Sequence, residues 1–312
     1  MAALKVLGIF IIIFIGYGAN KIGWLPSNAS KYLAKIVLNI ATPCVVISSM
    51  ATKELNPENL HSIAIAFSIA IGGYILSWII GNLFVKAINP LKEDVGVYKN
   101  FLMFTNNALI GIPLAAAIFG EEGVFLIVII GILSPFLIYT IGVFNIKASV
   151  ASDSSGEKTS IKEALKSIAN VPSIASFVGL VIYFLQIPIH GEIMNVLDSI
   201  GAVMTPLCMI VIGIQLSESK FREVVSKKLL MMSALRLLIM PALFFLIMLP
   251  LHLDKLFLEV ATINFMLPCA AICSVLAEEY GANGKLAAEG IFISTFFSIL
   301  TIPLAVFLLG ML

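Results

Sequence analysis

The chain has 312 residues, of which 60% are hydrophobic and 12% charged, and its net charge is +1; its mean hydropathy is +1.07. A soluble domain carries about twice that charged fraction, so an ordinary soluble fold is excluded, and basic residues scattered through loops leave no footprint for nucleic acid. The fold class expected is an all-α polytopic membrane protein, because backbone in contact with lipid must bond within itself.

A helix needs about 20 apolar residues to cross the hydrocarbon core. On that rule ten transmembrane helices are predicted, at approximately 4–20, 31–51, 61–85, 98–119, 123–146, 169–187, 195–216, 229–250, 256–278 and 286–310. The first is read as a span and not as a leader, since no small-residue cleavage site precedes Lys21 and Trp24. The most polar connector is 147–168, with Ala151-Ser152-Asp153-Ser154-Ser155-Gly156-Glu157-Lys158, and it is expected as a flexible loop. It separates 1–146 from 169–312, five spans on each side. An even count puts both termini on one face. That face holds Lys5, Lys53 and Lys255, and the other holds fifteen basic residues, with Arg236 set aside as intramembrane. The bias places the connector in the cytoplasm and both termini on the extracytoplasmic side of a cell membrane.

The two halves share landmarks in order. Thr42-Pro43-Cys44 in the second span matches Thr205-Pro206-Leu207-Cys208 in the seventh. Pro113 in the fourth matches Pro268 in the ninth, and Ser134-Pro135 in the fifth matches Thr301-Ile302-Pro303 in the tenth. Five is an odd number, so a second copy enters from the opposite face. The expectation is a 5+5 inverted repeat about an axis in the membrane plane.

The fourth and ninth spans carry the chemistry. They read Thr105-Asn106-Asn107-Ala108-Leu109-Ile110-Gly111-Ile112-Pro113 and Thr262-Ile263-Asn264-Phe265-Met266-Leu267-Pro268. Both are expected to break in mid-membrane and cross. The N-terminal ends of half-helices carry partial positive charge and unpaired N–H groups, which suit an anion such as a carboxylate. Asn106, Asn107 and Asn264 add amide donors without a buried charge, and Thr105 and Thr262 add hydroxyls. The alternative is that these side chains only cap and stitch the broken helices. Thr42 and Thr205, beside Pro43 and Pro206, either face a cavity or repair the kinks. Arg236 lies about 10 Å into the eighth span; it attracts an anion, pairs with a carboxylate, or snorkels to the interface. Asp198, Glu259, Glu278, Glu279 and Glu289 all lie near span ends, which disfavours a cation/proton exchanger. The four cysteines, all in apolar runs, read as packing residues. No metal site, cofactor motif, nucleotide loop or catalytic constellation is present, so no enzyme is expected.

The stretch from Thr105 to Leu114, with Leu267-Pro268-Cys269-Ala270, Val275–Gly281 and Ser294–Leu304, resembles the auxin efflux carrier family, which includes plant PIN-formed carriers and bacterial malate and malonate permeases. Thr105 and Ala108 stand where that family has glycines, and Ala270-Ala271-Ile272-Cys273 lacks the polar residue that many bacterial members have there. The resemblance implies a scaffold domain from spans 1, 2, 6 and 7, a transport domain from spans 3–5 and 8–10, an elevator-like cycle and a homodimer. It maps Asn106, Pro113 and Pro268 onto the family's crossover motif. The function expected is a secondary carrier of a small organic anion, with H+ or Na+ as the possible coupling ion. A sodium-coupled symporter of the bile-acid type is the alternative.

Overall fold

The computed structural model describes residues 2–26, 28–150, 170–218 and 224–311. Among these residues the chain is helical and has no strand beyond one isolated bridge. Residues 151–168 of the expected connector lie outside the described residues, and residues 147–150 complete a helix instead. In chain order the helices are α1 (Ala2–Lys21), α2 (Ala29–Ala51), α3 (Pro57–Ile88), α4 (Val95–Met103), α5 (Ile112–Gly131), α6 (Val143–Val150), α7 (Val171–Leu185), α8 (Gly191–Glu218), α9 (Lys227–Leu251), α10 (Lys255–Met266), α11 (Ile272–Glu279) and α12 (Gly284–Leu309). Six helical stretches among them are long and apolar enough to cross a membrane: Ala29–Ala51, Pro57–Ile88, Asn107–Val150, Gly191–Glu218, Lys227–Leu251 and Gly284–Leu309.

Local chemistry sets several boundaries. Asn56 caps α3 by accepting a hydrogen bond from the Asn59 amide, 2.8 Å, and Pro57 occupies the first turn, where its missing N–H costs nothing. Three π turns, at Val37–Ala41, Asn107–Gly111 and Leu235–Ile239, each end two residues before a proline: Pro43, Pro113 and Pro241. Proline lacks a donor and its ring crowds the carbonyl four residues back, and a widened turn relieves both. Pro135 differs: it sits in the first turn of the short helix Ser134–Leu137, where its missing N–H costs nothing, and a fourth π turn, Ile138–Gly142, follows it. Its sequence counterpart Pro303 lies inside the continuous helix α12, so the matched prolines differ in local structure.

The apolar stretch Asn107–Val150 is not one rod. Gly120 has φ 69° and ψ −153°, a conformation open to glycine, and the chain reverses there. A straight helix would hold Asn107 and Ile127 about 30 Å apart; instead the Asn107 amide donates to the Ile127 carbonyl, 3.1 Å.

The helices pack in two clusters that also touch, since α1, α2 and α8 pack on α5, and α1 and α8 on α12. α1 lies along α8, and α2 packs on α7 and α8. α3, α4, α5, α9, α10 and α12 pack among themselves. Outward faces carry exposed apolar groups such as Phe14, Trp78, Phe177 and Leu246, while Phe101, Phe104, Ile127 and Ile129 are fully buried around the segments between α4 and α5. The α1–α8 crossing is a backbone contact. A Cβ on Gly213 would fall 2.1 Å from the Ile13 carbonyl, and one on Gly16 would fall 2.5 Å from the Ile210 carbonyl. Small residues allow this approach in lipid, where packing and not water expulsion drives association.

Gly213→Ala is expected to destabilise the purified protein by about 1–3 kcal/mol through overpacking, seen as a lower thermal unfolding midpoint. Gly18→Ala, with open space around the new methyl group, should leave the midpoint unchanged.

Candidate functional site

The two interrupted segments meet. α4 ends at Met103, and Phe104 turns extended (φ −109°, ψ 125°). α10 ends at Met266, and Leu267 is extended as well. The short extended pieces then pair antiparallel, Thr105 opposite Cys269. The Asn106 amide donates to the Pro268 carbonyl, 2.9 Å, and the Ala270 amide donates to the Phe104 carbonyl, 3.1 Å. Each break frees backbone groups that lipid cannot satisfy, and each supplies the partner the other lacks. Proline suits its place here, since only the Pro268 carbonyl is used.

Side chains fasten the junction. The Asn107 amide donates to the Asn264 carbonyl oxygen, 2.8 Å, besides Ile127. Asn100 and Asn145, joined at 2.9 Å, tie α4 to α6. Thr262 bonds its own helix at the Leu258 carbonyl, 2.7 Å.

A cavity of about 300 Å³ lies against the junction. Its floor is Thr105, Asn106, Asn107 and Ala108 from one break and Ala270, Ala271 and Ile272 from the other. These residues stand at the N-terminal starts of the two helices that resume after the breaks, where the first N–H groups have no intrahelical acceptor. Asn39, Thr42 and Val46 of α2 form one wall, Ser134, Pro135 and Tyr139 another, and Asn170 and Ser176 at the start of α7 a third. No lining residue is charged.

The sequence-expected residues fall in three places. Asn106, Asn107 and Thr42 line the cavity. The Asn106 side chain makes no hydrogen bond among the described residues, and the Thr42 hydroxyl is buried without a partner. Asn264 sits one layer behind, holding Asn107. Thr205, Pro113 and Pro268 do not line the cavity. Arg236 corrects the snorkelling expectation: it is 1% exposed and deep in the protein. It does not line the cavity, and no carboxylate pairs with it among the described residues. Its Nε donates to the Leu267 carbonyl, 3.0 Å, and its Nη1 donates to the Leu102 carbonyl. The Nη2 is buried without a partner. Sequence reading missed Asn39, Ser134, Tyr139, Asn170 and Ser176. Asn39 was within reach, one helical turn before Thr42 on the same face. Nothing local marks Tyr139 or Asn170.

At the far end of α7 the side chain of Gln186 donates to the Lys53 carbonyl, 3.2 Å. Lys53 pairs with Glu122, just past the Gly120 reversal, and its ammonium lies 5.5 Å from the centre of the Phe125 ring. This closed contact is a helix length away from the cavity, which lies at the start of α7.

The model of the family described as membrane transport protein matches residues 1–306. This chain belongs to that family. It is the family of the auxin efflux carriers, as the motifs at both breaks imply, and the chain is a membrane transporter by membership. It is 25% identical over 303 residues to an uncharacterized transporter of Methanocaldococcus jannaschii, covering 96% of each chain. A second such transporter, from Methanothermobacter thermautotrophicus, is 24% identical over 96% of this chain and 95% of its own. YfdV of Escherichia coli, also an uncharacterized transporter, is 20% identical over 96% of this chain and 95% of its own.

Asn264→Ala leaves the Asn107 amide short of one buried acceptor, which costs about 1–3 kcal/mol. The expected result is a lower unfolding midpoint for N264A than for N106A, since the Asn106 side chain bonds nothing that the substitution would orphan.

Proposed function

We propose that the protein is a secondary carrier that moves a small organic anion, a carboxylate by preference, across the cell membrane. The observation that carries this reading is the electrostatics of the cavity. Two helix starts present N–H groups and positive dipole ends to it, Asn106 and Thr42 offer unengaged polar groups, and no carboxylate lines it to compete. Arg236 lies just behind the junction and offsets the negative C-terminal helix ends at Leu102 and Leu267, which leaves the positive helix starts to set the sign of the potential in the cavity.

In this reading the ten predicted spans cross the bilayer as a 5+5 inverted repeat, with both termini outside and the 147–168 connector inside. α1, α2, α7 and α8 act as the scaffold, and the remaining helices carry the site. The cavity lies between the two sets and beside Asn170, which follows the connector, so it opens inward. The Lys53–Glu122 contact closes the outer side. An elevator-like shift of the carrying set breaks that contact and exposes the site outward. A homodimer through the scaffold fits the same picture. The chemistry is binding and movement with no bond made or broken, so no catalytic residue and no cofactor is assigned.

Uptake of radiolabelled carboxylates into proteoliposomes tests the function. Asn106→Ala removes a hydrogen bond to a charged group, about 1.5–3 kcal/mol, so flux at low substrate should fall roughly 10- to 100-fold while the protein stays folded and monodisperse. Unchanged kinetics in N106A would remove the site assignment. A cysteine placed at the C-terminus should react with an impermeant maleimide added to intact cells; protection there would overturn the topology.

A further inference from the structure

A free helix C-terminus exposes carbonyl oxygens and the negative end of the helix dipole. The junction brings two such ends together, that of α4 at Leu102 and that of α10 at Leu267. Paired carbonyls of this kind, buried in the protein, are a natural ligand set for a hard monovalent cation. Here both carbonyls are already taken by one guanidinium, through Nε and Nη1 of Arg236. We propose that Arg236 is a tethered cation filling the place that a coupling sodium ion would otherwise occupy between the two broken helices, so that the carrier runs without sodium.

Several features support this assignment. The side chain is fully buried although the carbonyls are its bonded partners and no carboxylate pairs with it. A buried charge without a counter-ion is tolerated where oriented dipoles replace one. Arg236 itself lies in the π turn Leu235–Ile239. Pro241 fixes that turn in α9, the helix set facing both breaks. His, Cys, Asp and Glu form no metal-holding cluster among the described residues. A sodium ion at the same carbonyls would meet the guanidinium at close range in a poorly screened interior. Arg236 is therefore a positioning residue that holds the two C-terminal ends together while the two N-terminal ends face the cavity. The role in transport rests on the carrier reading above, but the assignment of Arg236 does not.

The test uses purified full-length protein without substrate, so it is independent of which anion is carried. Thermal unfolding is measured in equal concentrations of sodium, potassium and choline chloride. The wild-type midpoint should be the same in all three; a rise specific to sodium would overturn the proposal. Arg236→Ala should unfold at a lower temperature and recover with methylguanidinium, relative to choline at the same concentration. Indifference to methylguanidinium would count against it. Where R236A does not fold, the pair R236K and R236Q decides: the lysine variant should unfold above the glutamine variant, and the reverse order would sink the idea. In proteoliposomes, uptake should keep its rate when potassium replaces sodium on both sides, and a loss of uptake on that replacement would contradict it.

Discussion

Two helices that stop inside a membrane create a debt of backbone hydrogen bonds, and in this protein each settles the other's. Phe104 and Pro268 offer carbonyls; Asn106 and Ala270 offer amides. Lipid cannot stand in at that depth. The two breaks therefore exist together or not at all, and the position of every neighbouring group follows from their pairing. The N-terminal starts of the resumed helices end up on one side of the junction, beside the cavity. The C-terminal ends of the preceding helices end up against Arg236.

This separation of helix ends turns a packing problem into an electrostatic device. A continuous helix hides its dipole ends at the bilayer surfaces, where they are solvated. A broken one brings them to the interior, where partial charges act over longer distances. One fixed guanidinium bonds the carbonyls at the negative ends, and the positive ends lie at the floor of the cavity. Asn107 and Asn264 stiffen the floor, because each finds a partner across the junction. Asn106 and Thr42 are left with bonding capacity to spare. Residues of α2 and α7 complete the walls of the cavity above this floor.

Much of the fold was legible because lipid imposes simple rules. Apolar runs marked the helices to within a few residues, as for 31–51 against Ala29–Ala51. Asparagine followed within a few residues by proline marked both breaks, since neither residue is cheap in a bilayer without a reason. The reversal at Gly120 was readable as a gap between two predicted spans. The partition of roles among the asparagines was not legible, because Asn106, Asn107 and Asn264 have the same chemistry and only their register across the junction decides which one bonds and which one faces the cavity. Arg236 was readable as intramembrane but not as a cap on two helix ends: its carbonyl partners, Leu102 and Leu267, are distant in sequence and have apolar side chains that advertise nothing. Tyr139 and Asn170 reach the cavity through tertiary packing alone.

The central claim is that the positive ends of two broken helices, brought together in the membrane, hold a negatively charged guest. Density for the purified protein in complex with a carboxylate that it binds tests this most directly. The carboxylate should lie against the Asn106 side chain and the backbone amides that begin the two resumed helices. A carboxylate found elsewhere, with the floor of the cavity turning carbonyl oxygens toward its interior, would contradict the account.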